Sequence, residues 1–156
     1  MKIGIFVHSK TGNTLSVARR LQEKFNTAGH EASLHKITAI NDDEKDFEKI
    51  TLLNMPDVKE YDILIFGAPV RGFSLSPAMQ AFLTGIELLQ GRKTAVYMTQ
   101  AFPYPWMGGT RALKQGCKIC TDKGADIFET GIINWSNSAK REALINALLE
   151  KLCNLT

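Results

Sequence analysis

A chain of 156 residues is long enough for one domain with a sizeable core. It is 44% hydrophobic and 22% charged, a globular balance that argues against disorder. The net charge of +3 comes with no dense basic run, so nucleic acid is not an expected partner.

No apolar stretch approaches ~18 residues, so neither a membrane span nor a membrane partner is expected. The N-terminus "MKIGIFVHSK" has too short an apolar run for a signal peptide, and a cytoplasmic chain is the expectation. Three cysteines, Cys117, Cys120 and Cys153, form no disulfide framework and should stay reduced.

The elements alternate. "KIGIFV" (2–7) is a nearly continuous apolar run, as a strand covered on both faces should be. Val17, Leu21 and Phe25 recur every four residues and predict a helix over 14–25, stopped near Gly29. "EASLHKI" (31–37) alternates and reads as a strand nearer an edge. Residues 38–60 are the least regular, with a short helix expected around 43–50 and an extended piece at "ITLL". The mixed-sign cluster "DDEKDFEK" (42–49) reads as a solvated face.

"YDILIFGAPV" (61–70) is a second buried strand. Ser76-Pro77 looks like an N-cap followed by a first-turn proline, with Met79, Phe82, Leu83 and Ile86 continuing a helix. "KTAVYMT" (93–99) is a third buried strand. A long helix follows over 109–122, then a fifth strand at 125–133 and a last helix over 138–152. Leu144, Ile145, Leu148, Leu149 and Leu152 form its inward face.

Five strands interleaved with helices predict an α/β fold, a three-layer doubly wound sandwich around a parallel sheet. In such a sheet, ligands sit beyond the carboxyl ends of the strands, where strand order reverses. Three loops stand there: "HSKTGNT", "GAPVRGFS" and "TQAFPYPWMGG". The first runs into a helix N-terminus, where unpaired N–H groups and the helix dipole favour an anion, above all phosphate. Ser9, Thr11 and Thr14 add hydroxyls, Gly12 lets the backbone curl, and Asn13 can cap the helix or tie the loop down. An ordinary Ser/Thr-rich cap needs one hydroxyl, and this loop presents three. Neither GxxxxGK[ST] nor GxGxxG is present, which weighs against a nucleoside triphosphate or a dinucleotide fold.

"SKTGNT" resembles the [ST]-x-T-G-x-T phosphate loop of the flavodoxins. "FGAPVRGFSLSPAMQAFL" is similar to their second flavin loop, and "TQAFPYPWMGG" occupies the place of the third. The resemblance implies a single flavodoxin-like domain over 1–156, strand order 2-1-3-4-5, and non-covalent FMN. It puts FMN contacts at Ser9, Lys10, Thr11, Gly12, Asn13 and Thr14 in the first loop. The second loop contributes Pro69, Val70, Arg71, Gly72 and Phe73; the third contributes Thr99, Gln100, Ala101, Phe102, Tyr104 and Trp106. Phe73, Tyr104 and Trp106 are the candidate stacking rings. The resemblance also implies that the Gly72–Phe73 peptide turns over when the flavin is reduced. Arg71 beside the ring would then favour added negative charge.

Two features depart from electron-carrying flavodoxins: the chain is slightly basic, and Phe73 stands where an acidic residue is usual. Three readings therefore stay open. The chain carries electrons through FMN to a redox partner protein, or reduces a quinone or similar small acceptor with NAD(P)H. The third reading is a flavin-free interaction module. Either a monomer or a homodimer fits.

No metal site is expected, since Cys117 and Cys120 lack a second pair. They share one helix face with Leu113 and read as buried packing residues rather than a redox pair. His8 borders the phosphate loop, in contact with FMN or structural, and Trp135 reads as a packing residue at the sheet edge.

Overall fold

Residues 1–154 are described by the computed structural model, and strand alternates with helix through them. In chain order these are β1 (Lys2–Val7), α1 (Asn13–Thr27), β2 (Glu31–Lys36), a 3-10 turn (Phe47–Lys49) and β3 (Ile63–Arg71). There follow β4 (Ser74–Leu75), α2 (Pro77–Gly85), β5 (Lys93–Gln100), α3 (Gly109–Asp122), β6 (Asp126–Asn134) and α4 (Ser138–Asn154). The main sheet runs β2-β1-β3-β5-β6 with every neighbour parallel. With β4 set aside, that is the expected order 2-1-3-4-5. β4 is an addition: it pairs antiparallel with the end of β3 as a short hairpin.

Side chains in a strand alternate between faces, so each central strand feeds two cores. Ile3, Ile5, Val7, Ile63, Ile65, Ala95 and Tyr97 pack on the face covered by α1 and α4. Phe6, Leu64, Phe66, Ala68, Val96 and Met98 pack on the opposite face with residues of α2 and α3. This two-sided burial is why β1, β3 and β5 read as continuous apolar runs.

The segment between β2 and β3 departs from expectation. The helix around 43–50 shrinks to the 3-10 turn, and the extended piece makes one antiparallel bridge, Ala39 to Leu52. Asparagine side chains hold the rest. Asn41 donates to the Lys49 carbonyl at 2.7 Å and accepts from the Thr51 N–H at 2.8 Å, and Asn54 donates to the Lys36 carbonyl at 2.6 Å.

Cys120 is buried in the α2–α3 core, with Cys117 half-buried against it. Burial pushes the Cys120 thiol up to about 12 and raises Cys117 as well. Thiolate is the reactive form, so both should react slowly with a disulfide reagent in folded protein and rapidly after denaturation. A second expectation concerns Gly67, where an added Cβ would lie 2.2 Å from the buried Tyr97 ring. Gly67→Ala should cost about 1–3 kcal/mol in urea unfolding, the usual range for overpacking.

Candidate functional site

The first loop leaves β1 at His8 and enters α1 through Gly12, whose φ of 94° is left-handed and suits glycine. Ser9 Oγ accepts from the Gly12 and Leu15 N–H groups at 3.1 and 3.3 Å, folding the loop into a cup. The N–H groups of Asn13 and Thr14, in the first turn of α1, have no intrahelical acceptor. Thr11 is exposed on the rim. Thr14 turns inward instead: its hydroxyl meets that of Thr99 at 2.7 Å, and its carbonyl accepts from the Tyr97 hydroxyl at 2.8 Å. The first loop is thereby tied to the end of β5.

The second loop is the β3–β4 hairpin. Arg71 pairs with Ser74, leaving Gly72 and Phe73 as the two-residue turn. Both have positive φ, 57° and 61°, the mark of a type I′ turn. Glycine adopts that region freely, whereas a side chain there costs roughly 1–2 kcal/mol. Leu75 N–H donates to Gln115 Oε1 at 2.8 Å, fastening the hairpin to α3.

Gln100 organises the third loop. Its Nε2 donates to the carbonyls of Phe102 and Tyr104 at 2.8 and 2.7 Å. Its Oε1 is buried without a partner against Gly109, where a Cβ would lie 2.2 Å away. Gly108, at φ 108°, lets the start of α3 approach the Phe73 backbone, which a Cβ would meet at 2.8 Å.

Lys10, Thr11, Asn13 and Thr14, with Pro69, Val70, Arg71, Thr99, Gln100 and Ala101, line one cavity of about 190 Å³. Residues from all three loops therefore meet there. At the rim Phe73 and Phe102 stack, with ring centroids 5.6 Å apart and planes within 3°. Tyr104 and Trp106 form a second stack at 5.8 Å. All four rings are exposed, Trp106 most at 75%. The polar cup suits a phosphate and a polyol, and the rim suits a flat ring. A ring between Phe73 and Phe102 needs about 7 Å between their planes, two van der Waals contacts, so the pair must part to admit one.

Sequence reasoning missed the side wall of the site. His8 is buried, with Nε2 donating to Asp42 Oδ1 at 2.7 Å and Nδ1 accepting the Ser76 hydroxyl at 2.9 Å. The carboxylate fixes this tautomer, since it can only accept. Ser76 therefore does not cap α2 through its side chain, though Pro77 opens the helix as expected. Arg71 donates to the Asp42 carbonyl at 2.8 Å and lies 4.0 Å from Asp43, which also pairs with Lys10. The Arg71 guanidinium, expected beside the ring, thus braces the 42–43 turn while its side chain still lines the cavity.

A parallel doubly wound sheet, with three loops gathered where its strand order reverses, is the architecture of the flavodoxin-like class. The chain belongs to the flavodoxin family, whose model matches residues 5–146. It is 25% identical over 129 residues to an NAD(P)H dehydrogenase (quinone) of Archaeoglobus fulgidus, covering 71% of this chain and 66% of that protein's length.

Similar solved structures share the fold. A Streptococcus pneumonia TIGR4 flavodoxin has a TM-score of 0.71 at 18% identity, with both chains fully covered. Oxidised flavodoxin 2 from Bacillus cereus has 0.70 at 20%, also with both chains fully covered. A Lactobacillus acidophilus flavoprotein in complex with FMN has 0.61 at 16%, covering 92% of this chain and 97% of that one. The family implies a flavin and redox chemistry. Among the described residues, no helix is long and apolar enough to cross a membrane, and no cluster of metal-ligating side chains is present.

Burial lowers the His8 pKa more than Asp42 raises it, and burial lowers His35 too. Both stay neutral in the folded chain, while unfolded histidines protonate near pH ~6.5. Protons therefore favour the unfolded state, and stability should fall as pH drops below ~6.5, levelling once the folded histidines also protonate. Urea unfolding between pH 5 and 8 should show this slope, and His8→Gln should reduce it, leaving the part that belongs to His35.

Proposed function

We propose that this chain binds FMN without a covalent bond and passes electrons through it to a redox partner. The observation that carries the reading is the convergence of three loops on one cavity, with a hydroxyl and amide cup at one end and facing aromatic rings at the other. Bound FMN supplies reversible one- and two-electron chemistry. The first-loop N–H groups, Ser9 and Thr11 bind the phosphate, and Lys10 adds charge. Asn13 and Thr14 contribute backbone donors. Pro69, Val70, Arg71, Thr99, Gln100 and Ala101 line the path between phosphate and ring. Phe73 and Phe102 exclude water from the ring faces, with Tyr104 beside them and Trp106 stacked on its outer side. The Gly72–Phe73 peptide presents either its N–H or its carbonyl to the ring edge, and Gly72 allows the change.

The exposed rim supports a carrier: Phe73, Phe102, Tyr104 and Trp106 all stand open to solvent, within reach of a partner. A second reading, an NAD(P)H-dependent reductase of a quinone or other small acceptor, has support from the Archaeoglobus relative. We place the protein in the cytoplasm, as one flavodoxin-like domain.

Titration with FMN should produce a flavoprotein spectrum with quenched flavin fluorescence. Riboflavin, lacking the phosphate, should bind at least tenfold more weakly. Thr11→Ala should lose about 1.5–3 kcal/mol of FMN affinity, one charge-assisted hydrogen bond, and leave riboflavin affinity unchanged. Equal affinity for the two ligands would overturn the assignment of the first loop. Rapid turnover of a quinone with NAD(P)H, against slow exchange with protein partners, would favour the reductase.

A further inference from the structure

From Leu88 to Thr121 the chain contains no aspartate or glutamate, yet it carries Arg92, Lys93, Arg111, Lys114 and Lys118. The last three lie on one exposed face of α3 and, with Trp106, Thr110 and Gln115, line an open groove of about 560 Å³. Among the described residues, only Lys118 of these three makes an ion pair, with Asp122 at 3.0 Å. Beside the groove stands the exposed Tyr104–Trp106 stack, on the same loop that rims the candidate flavin site. A solvent-facing tryptophan is unusual, and tryptophan, tyrosine and arginine are the residues that most often anchor protein interfaces.

We infer that the third loop and the outer face of α3 form the docking surface for a partner protein whose contact face is acidic. Trp106 anchors it, and Arg111, Lys114 and Lys118 steer it. The spread of the cations argues for a protein rather than a nucleotide phosphate. Arg111 to Lys118 covers about 10 Å along the helix axis, a row rather than a cluster closing on one anion. The platform is stiff, because Gln115 ties α3 to the hairpin and Gln100 ties the third loop to β5.

The surroundings also give orientation. The acidic 42–48 turn lies beside the first loop and Arg71, whereas α3 packs on β4, β5 and β6, on the far side of the β3–β4 hairpin from Arg71's acidic partners. An acidic partner is therefore repelled on one side of the rim and attracted on the other. This inference rests on the reading of the chain as an electron-carrying flavoprotein and names the partner's chemistry.

The test uses a small acidic ferredoxin as probe and a basic c-type cytochrome as its opposite. Binding is measured by titration with the protein as purified, and electron exchange after loading with FMN. Ferredoxin affinity and exchange rate should fall about tenfold or more between low and moderate salt. Lys114→Glu with Lys118→Glu should weaken ferredoxin at least tenfold, strengthen the cytochrome, and leave FMN affinity unchanged.

No ferredoxin binding at low salt, or affinities unmoved by salt and by charge reversal, overturns the inference. A charge-reversed variant that loses NADPH reactivity but keeps ferredoxin binding also overturns it and assigns the groove to a nucleotide. Charge-dependent ferredoxin binding without any FMN binding would leave the surface standing and sink the flavin assignment instead.

Discussion

The Tyr97 hydroxyl, fully buried on β5, donates to the carbonyl of Thr14 in the first turn of α1. To reach it the ring crosses Gly67 of β3, at a spot where no side chain could stand. An unpaired phenol at that depth would cost a few kcal/mol, so the contact is effectively obligatory. One side chain thus sets the height of the first loop over the ends of two strands. Thr14 and Thr99 add a second tie at the same level. Thr14 and Thr99, joined at this level, line the cavity together with residues of the hairpin and the third loop.

The electrostatics of the wall follow a similar economy. Two cations near the cup, Lys10 and Arg71, share the acidic 42–43 turn, and that turn is fixed from behind by His8. Asp43 is almost fully exposed, so its pairs are screened and exchangeable. His8 and Ser76 are buried, so their contacts are not. The layout puts a permanent hinge post behind a surface that an anion can rearrange.

Most of this architecture was legible because its causes are periodic. β1, β3 and β5 are covered on both faces and had to be apolar throughout, and the helices announced themselves by stripes such as Val17, Leu21 and Phe25. The three loops followed from topology. What stayed hidden depends on single contacts between residues distant in sequence. Asn41 and Asn54 replace regular structure between β2 and β3 with side-chain bonds, which carry no period. Asp42 looked like one member of a solvated charge run until the fold brought His8 to it, 34 residues away. Ser76 carried the local signature of a helix cap, and a buried histidine took its hydroxyl. β4 is two residues long, too short for alternation to register.

The Gly72–Phe73 turn has a consequence for how motion is distributed in the molecule. Both flanking residues, Arg71 and Ser74, are held in the β3–β4 ladder, and the hairpin is bolted to α3. The strands on either side therefore have no freedom to swing. Phe73 nevertheless sits in a left-handed conformation that its side chain disfavours. In a type I′ turn beginning with glycine, rotation of the central peptide leads to type II′, which leaves the strand ends where they are and returns the second residue to negative φ. The two turn types differ in one amide plane, so such a rotation would act as a two-position pointer mounted in a stationary frame.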